Sequence, residues 1–133
     1  MRKIKGILID VYNQTVEEVQ MEADLEAYYK HIKCDLITCV SLDDDHDIVV
    51  DDEGLLKNPH HFFSIDCDGA PQYAGNGLIF GVNEKNGEWT NHHLNIKEVK
   101  QRISIWEVKL NMMTGLRCWK RIKFAKENEN ENQ

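Results

Sequence analysis

Seven acidic side chains crowd one short region of the chain, and carboxylate clusters of this kind can bind a divalent cation through their oxygens. They are Asp43, Asp44, Asp45, Asp47, Asp51, Asp52 and Glu53. An EF-hand loop beginning at Asp43 would need glycine at its sixth position and glutamate at its twelfth, where the chain has Ile48 and Gly54. The spacing therefore indicates a solvated acidic hairpin turn and no metal site. The six aspartates are candidate contacts for a basic partner.

Two histidine pairs, His60-His61 and His92-His93, offer the side chain that most often binds transition metals. Neighbouring residues of a strand point to opposite faces, so only one histidine of each pair can enter a shared site. A site made from one histidine of each pair and Asp66 is the one basis for an alternative function, a metal-dependent hydrolase.

A basic, aromatic segment lies near the end of the chain and could dock an anionic ligand or an acidic partner. It contains Arg117, Trp119, Lys120, Arg121, Lys123, Phe124 and Lys126. The first four of these are its candidate binding residues.

The remaining motifs do not support catalysis or a bound cofactor. Gly75-Asn76-Gly77 precedes a predicted strand, whereas phosphate-binding glycine loops precede a helix and carry lysine and hydroxyl partners. The serine, threonine and cysteine residues lack a recognisable nucleophile motif. We therefore assign no catalytic residue and expect no cofactor.

Local patterns predict the elements that must position these residues. Residues 4–11 and 15–21 predict a hairpin with a buried first strand and a polar edge strand. Asp24 can cap a helix whose apolar residues fall on one stripe, namely Leu25, Tyr28, Tyr29 and Ile32. Residues 34–42 and 47–51 predict a second hairpin, and 62–66 and 77–82 predict two more strands.

A second helix is predicted from the capping box at Asn95 to about Arg102. The next segment, 103–110, fits either a helix or a strand, and its alternation favours a strand. The fold class is thus α+β, a mainly antiparallel sheet of about six strands with two helices on one face.

Length and composition predict a single domain followed by two short segments. The 133 residues suffice for one core, which we place in residues 1–112. Residues 113–125 form a basic aromatic extension, and 126–133 are a polar tail expected to be disordered.

Charge and hydropathy limit the partners and the compartment. The net charge of −7 argues against direct binding to nucleic acid, and the chain has no apolar run long enough for a membrane helix or a signal peptide. The four cysteines have no Cys-x-x-Cys spacing and are expected to be reduced thiols. We expect a cytoplasmic protein, with a homodimer through an edge strand as an open alternative.

The turn motifs, in their order along the chain, resemble the family called domain of unknown function 3846, over roughly residues 4–102. They are Asp51-Asp52-Glu53-Gly54-Leu55-Leu56, Asn58-Pro59, Ala74-Gly75-Asn76-Gly77-Leu78-Ile79-Phe80-Gly81 and Asn86-Gly87-Glu88. The resemblance implies a small α+β domain of phages and mobile elements, and it carries no established catalytic residue. Residues 103–133 lie outside it.

These observations lead to one expected function and one alternative. The expected function is that of a non-catalytic accessory protein, a host-defence antagonist that binds a host protein or sequesters a small anionic ligand such as a nucleotide signal. The alternative is the metal-dependent hydrolase based on the central Asp and His residues.

Overall fold

The computed structural model describes residues 2–57 and 59–125 of the chain, which form ten strands, two helices and one 3₁₀ turn. The strands are β1 Lys3–Asp10, β2 Thr15–Glu22, β3 Ile37–Asp43, β4 His46–Asp51, β5 His61–Ile65, β6 Tyr73–Ala74, β7 Gly77–Val82, β8 Trp89–Thr90, β9 Ile103–Leu110 and β10 Arg117–Ile122. The helices are α1 Leu25–Ile32 and α2 Ile96–Arg102, and the 3₁₀ turn is Gly54–Lys57.

The strands form two antiparallel sheets. The larger sheet has the order β2-β1-β7-β4-β3, and β8 pairs with the far end of β7, which gives six strands. The smaller sheet has the order β10-β9-β5-β6. The predicted α+β class and the sheet of about six strands are confirmed, and the segment 103–110 is a strand.

Turn chemistry explains why neighbouring strands form hairpins. Gln14 takes a positive φ of 62° in the β1–β2 turn, and Asp10 caps the same turn by accepting hydrogen bonds from the amides of Tyr12 and Asn13. Between β7 and β8, Gly87 has a φ of 72° and donates its N–H to the Asn83 carbonyl. These turns fix the strand registers locally.

The central strands of the larger sheet, β1, β4 and β7, bury both faces because their two sets of alternate side chains enter different cores. The first core lies between the two sheets and α2, and it includes Ile7, Ile79, Phe63, Ile105 and Val99. The second core lies between the larger sheet and α1, and it includes Ile4, Leu78, Phe80, Tyr28 and Ile32.

The two cores correct one detail of the prediction, which placed both helices on one face of the sheet. Tyr28 of α1 packs with Leu78, whereas Val99 of α2 packs with Ile79 on the opposite face of β7. The physical reason is that the smaller sheet occupies much of the α2 side, so the two faces need separate cover.

The segment 113–125 contains β10, which pairs with β9 along its whole length from Arg117 to Ile122. The predicted polar tail, 126–133, lies outside the described residues. No helix in the described ranges has the length and apolar character needed to cross a membrane.

Candidate functional site

A polar cleft of about 260 Å³ gathers the turn motifs that are far apart in the sequence. Its walls come from the ends of β1, α1, β4 and β5, from the 3₁₀ turn and from the β6–β7 turn. The lining residues are Tyr12, Ile32, Lys33, Asp51, Gly54, Lys57, Pro59, His60, His61, Ala74 and Gly75. Polar groups that converge in a cleft are the usual sign of a binding site.

A larger hollow of about 440 Å³ lies between β9 and residues 121–124. Its lining includes the apolar side chains of Ile103, Ile105, Ile122 and Phe124. The polar cleft is the better candidate because its ionisable groups come from several elements and face a common space.

Lys33 reaches the cleft because α1 ends there. It is the C-cap residue of α1, with a left-handed φ of 67°, and its N–H donates to the Tyr29 carbonyl at 2.7 Å. Its Nζ lies 4.9 Å from the centre of the Tyr12 ring, a cation–π distance. The end of the helix therefore holds a positive charge over an aromatic face.

Lys57 brings a second ammonium group from the end of the 3₁₀ turn. Its Nζ donates to Asp51 Oδ2 at 2.7 Å, and Asp51 Oδ1 accepts from the Glu53 amide at 2.9 Å. The hydrogen bond to Asp51 raises the pKa of Lys57, so this group stays protonated at neutral pH. The Asp51 carboxylate offsets part of that charge.

An aromatic wall stands beside the two lysines. The rings of Tyr12 and His61 are 5.2 Å apart between centroids and tilted by 55°. Opposite Tyr12, Gly75 takes a positive φ of 79° and donates its N–H to the His61 carbonyl at 2.9 Å. A Cβ at Gly75 would lie 3.8 Å from the Tyr12 hydroxyl, an ordinary contact distance, so the positive φ is the reason for glycine at this position.

Buried polar groups behind the cleft fix its walls. Asn76 is 1% exposed; its Oδ1 accepts from the Val11 amide at 2.9 Å, and its Nδ2 donates to the His31 carbonyl at 3.1 Å. One amide side chain thus ties Val11, the residue before Tyr12, to the last turn of α1, two residues before Lys33. Removing it would take this partner from the buried Val11 amide and the partly buried His31 carbonyl, so the walls are held in place before a ligand arrives.

The predicted acidic residues lie at two places along the β3–β4 hairpin. Asp43, Asp44 and Asp45 surround the turn and Asp47 lies near it at the start of β4, whereas Asp51 ends β4 and Asp52 follows directly. At about 3.3 Å per residue, β4 separates the two groups by roughly 16 Å. Of the six aspartates, the structure brings only Asp51 into the cleft.

Two of the turn-end aspartates serve the fold. Asp47 Oδ2 accepts from Trp89 Nε1 at 3.0 Å. Asp43 Oδ1 lies 3.0 Å from Nδ1 of the buried His46, whose Nε2 accepts from the His93 amide. Partial burial alone would raise the pKa of Asp43, but hydrogen bonds from the Asp45 amide and from His46 outweigh it and lower the pKa.

The histidines and Asp66 of the hydrolase hypothesis lie in separate environments. His61 lines the cleft, His92 Nε2 lies 2.6 Å from Glu18 Oε1, and Asp66 is paired with Arg102 beyond the opposite end of β5. Within residues 2–57 and 59–125, no group of three or more His, Cys, Asp or Glu side chains could hold a metal ion.

The basic aromatic candidates lie on β10, and none of them lines the cleft. Arg117, Trp119 and Arg121 share the outer face of the smaller sheet, and Lys120 is on the other face. Trp119 is 50% exposed, and its ring centre lies 6.4 Å from that of Phe62.

Three cleft residues were not predicted from the sequence: Tyr12, Lys33 and Lys57. Each stands alone in its segment, so no spacing rule joins them. The available signal was indirect: several turn motifs cluster between 51 and 77, and turns often carry binding residues.

Comparison with known protein families gives a match over most of the chain. The model of a family described as Domain of unknown function (DUF3846) matches residues 4–104, a span that includes every cleft residue. Neither a curated protein nor a solved structure matches the chain.

Proposed function

Because the chain belongs to the DUF3846 family, whose description names no activity, we propose a function from the cleft itself. The protein is a non-catalytic binding protein that holds a small phosphorylated ligand between Lys33 and Lys57. The observation that carries this proposal is the convergence of two ammonium groups, from α1 and from the 3₁₀ turn, beside the Tyr12–His61 wall.

The chemistry of the cleft selects an anion with a flat group. Ammonium groups bind phosphate oxygens by charge-assisted hydrogen bonds, and aromatic rings stack on planar bases. The volume of about 260 Å³ is slightly below the roughly 300 Å³ at which sites for drug-sized ligands begin. We therefore propose a ligand smaller than a typical drug molecule, of about the size of a mononucleotide.

Sequestration is the role we propose for this binding. A phage or mobile-element accessory protein that removes a nucleotide signal of its host would antagonise host defence without catalysing a reaction. The wall residues are fixed by Asn76 and by the turn at Asp10, which favours tight binding by a site that changes little. The metal-dependent hydrolase has less support, because its histidines and Asp66 are far apart.

Calorimetric titration with inorganic phosphate, AMP and uncharged adenosine tests the proposal. We expect phosphate and AMP to bind and adenosine to bind far more weakly. Lys33→Gln and Lys57→Gln should each weaken AMP binding about tenfold or more, because a hydrogen bond to a charged group contributes roughly 1.5–3 kcal/mol. Lys85→Gln removes an equal charge from an exposed turn outside the cleft and should change nothing.

A variant with the opposite effect sharpens the test. Asp51→Asn keeps an oxygen acceptor for the Glu53 amide but removes the negative charge beside Lys57, so AMP should bind more tightly. Binding that is equal in wild type, Lys33→Gln and Asp51→Asn would contradict the proposal, as would the absence of binding by both anions.

A further inference from the structure

We propose that the β9–β10 hairpin is a docking arm for another protein, whose acidic, extended segment adds to the outer edge of β10 as a further strand. This surface is separate from the cleft, and its interaction does not depend on the ligand proposed above. The partner is defined by its chemistry: acidic side chains on a strand, next to an apolar pocket for the hairpin tip.

The base of the arm is anchored in the protein core. Ile122 and Phe124 pack against the core between the two sheets, and the Ala125 amide donates to the Gln14 carbonyl at 2.8 Å. Lys100 Nζ lies 5.1 Å from the centre of the Phe124 ring. The arm is therefore fixed in direction at its base.

The tip of the arm displays apolar side chains on an ordered turn. Asn111 organises the turn: its Oδ1 accepts from the Met113 and Thr114 amides, and its own amide donates to the Leu116 carbonyl at 2.7 Å. Met112 is 85% exposed and Met113 94% exposed. Because the turn satisfies these backbone groups internally, the two methionines can enter an apolar pocket at little polar cost.

The edge of the arm can accept a strand. In the described part of the chain β10 pairs with β9 alone, and every residue from Arg117 to Arg121 is exposed. An unpaired strand edge is a template for another chain, and peptide recognition by strand addition uses this geometry. Trp119 adds an exposed aromatic ring, a residue type enriched in protein interfaces.

Charge selects an acidic partner. Arg117, Lys120 and Arg121 make this edge cationic in a protein of net charge −7. Two copies of β10 would place like charges opposite each other, which disfavours pairing of the arm with itself. Edge lysines also protect against aggregation, but protection does not explain the exposed Met112, Met113 and Trp119.

A protein partner is favoured over an anionic membrane. An open strand edge cannot enter lipid, where its backbone groups would find no hydrogen-bond partner. The part of the hairpin after Ser104 lies beyond the residues matched by the family model, so membership of the family does not by itself predict this interaction.

A strand-forming peptide of about ten residues that alternates glutamate with valine is the probe for this test. Binding should shift the emission of the half-exposed Trp119 and slow amide exchange along β10. The same peptide with a central proline should bind at least about tenfold more weakly, because proline removes a backbone donor. Trp119→Phe should remove the emission change and keep the slowed exchange.

Charge reversal decides between the proposal and its competitors. The double variant Lys120→Glu/Arg121→Glu should no longer bind the glutamate peptide and should bind a lysine–valine peptide instead. The double variant Lys85→Glu/Lys97→Glu, a matched change at exposed sites, should bind both peptides as wild type does. The proposal is overturned by no binding of the glutamate peptide, by binding that survives the reversal at β10, or by binding to phosphatidylserine vesicles in place of the peptide.

Discussion

Asp66 combines a special backbone conformation with an ion pair. Its φ of 59° is left-handed, a region that aspartate and asparagine tolerate better than most residues. Its two carboxylate oxygens accept hydrogen bonds from Nε and Nη2 of Arg102, each at 2.7 Å. The Arg102 hydrogen bonds lower the pKa of Asp66 despite partial burial.

Asp66→Asn separates these two roles, because asparagine keeps the backbone preference and loses the charge. The Asp66 side chain is 51% exposed and that of Arg102 is 34% exposed. Solvent screening therefore limits the expected loss at pH 7 to about 0.5–1 kcal/mol of unfolding free energy. A lowered folded-state pKa gives stability that is present above the unfolded pKa and lost as pH falls through the folded value. The difference from wild type should therefore begin to shrink as pH falls below about 4 and should vanish only below the still lower pKa of the folded state.

Urea unfolding of both proteins between pH 3 and pH 7 measures this effect. Asp68→Asn removes a charge from an exposed neighbour and should leave the stability unchanged. A loss for Asp66→Asn that persists undiminished at pH 3 would show that the ion pair is not its cause.

At the scale of elements, Gly77 sets how closely β7 approaches the smaller sheet. A Cβ built on Gly77 would lie 2.6 Å from Cζ of Phe63, a side chain fully buried between the sheets. Gly77→Ala should therefore force the ring and the sheets apart and cost roughly 1–3 kcal/mol of unfolding free energy.

Gly69→Ala is the matched control, since a Cβ there would meet no atom within 4 Å and the residue has no positive φ. Its stability in denaturant unfolding should equal or slightly exceed that of wild type, because alanine restricts the unfolded chain. Equal stability of Gly77→Ala and Gly69→Ala would mean that the Phe63 ring can move aside without lowering the free energy of unfolding.

Elements defined by local chemistry were predictable, and elements defined by distant pairing were not. The cap at Asp24, the capping box at Asn95 and the hairpin turns act within a few residues, so the sequence displays them. Alternation in β5 shows that a strand exists but not that its partner is β9, because the side-chain period carries no information on pairing. The second sheet was missed for that reason.

The same limit applies to the cleft. Its turn residues were visible, and Asp51 was among the candidate contacts, but Lys33 and Tyr12 meet only because α1 and β1 end beside each other. The acidic residues looked like one group because sequence proximity conceals the length of β4. A strand places its ends far apart, so residues that are close in sequence act at different sites.

At the scale of the whole molecule, one core joins both sheets. Ile7 and Ile79 come from the larger sheet, Phe63 and Ile105 from the smaller, and all pack in one cluster with Val99 of α2. Neither sheet can expose its share of this core without exposing the other's. We therefore expect a single cooperative unfolding transition, as is usual for domains of this size.

Far-ultraviolet circular dichroism and tryptophan emission should give the same midpoint in urea. Emission reports on both sheets, since Trp106 is 7% exposed in the smaller sheet and Trp89 stacks on Phe80 of the larger one. Two separate midpoints would mean that the sheets unfold independently and that the shared core contributes little.

The pairing of β1 with β7 also has a kinetic consequence. Ile7 lies opposite Ile79. The central strands of the larger sheet can therefore pair only after the whole segment between these residues has been synthesised. The β1–β2, β3–β4 and β9–β10 hairpins are local and can form early, whereas closing a long loop delays the central pair. Until β1 and β7 meet, several strand edges stand open together, and this interval is when a newly made chain is most exposed to aggregation.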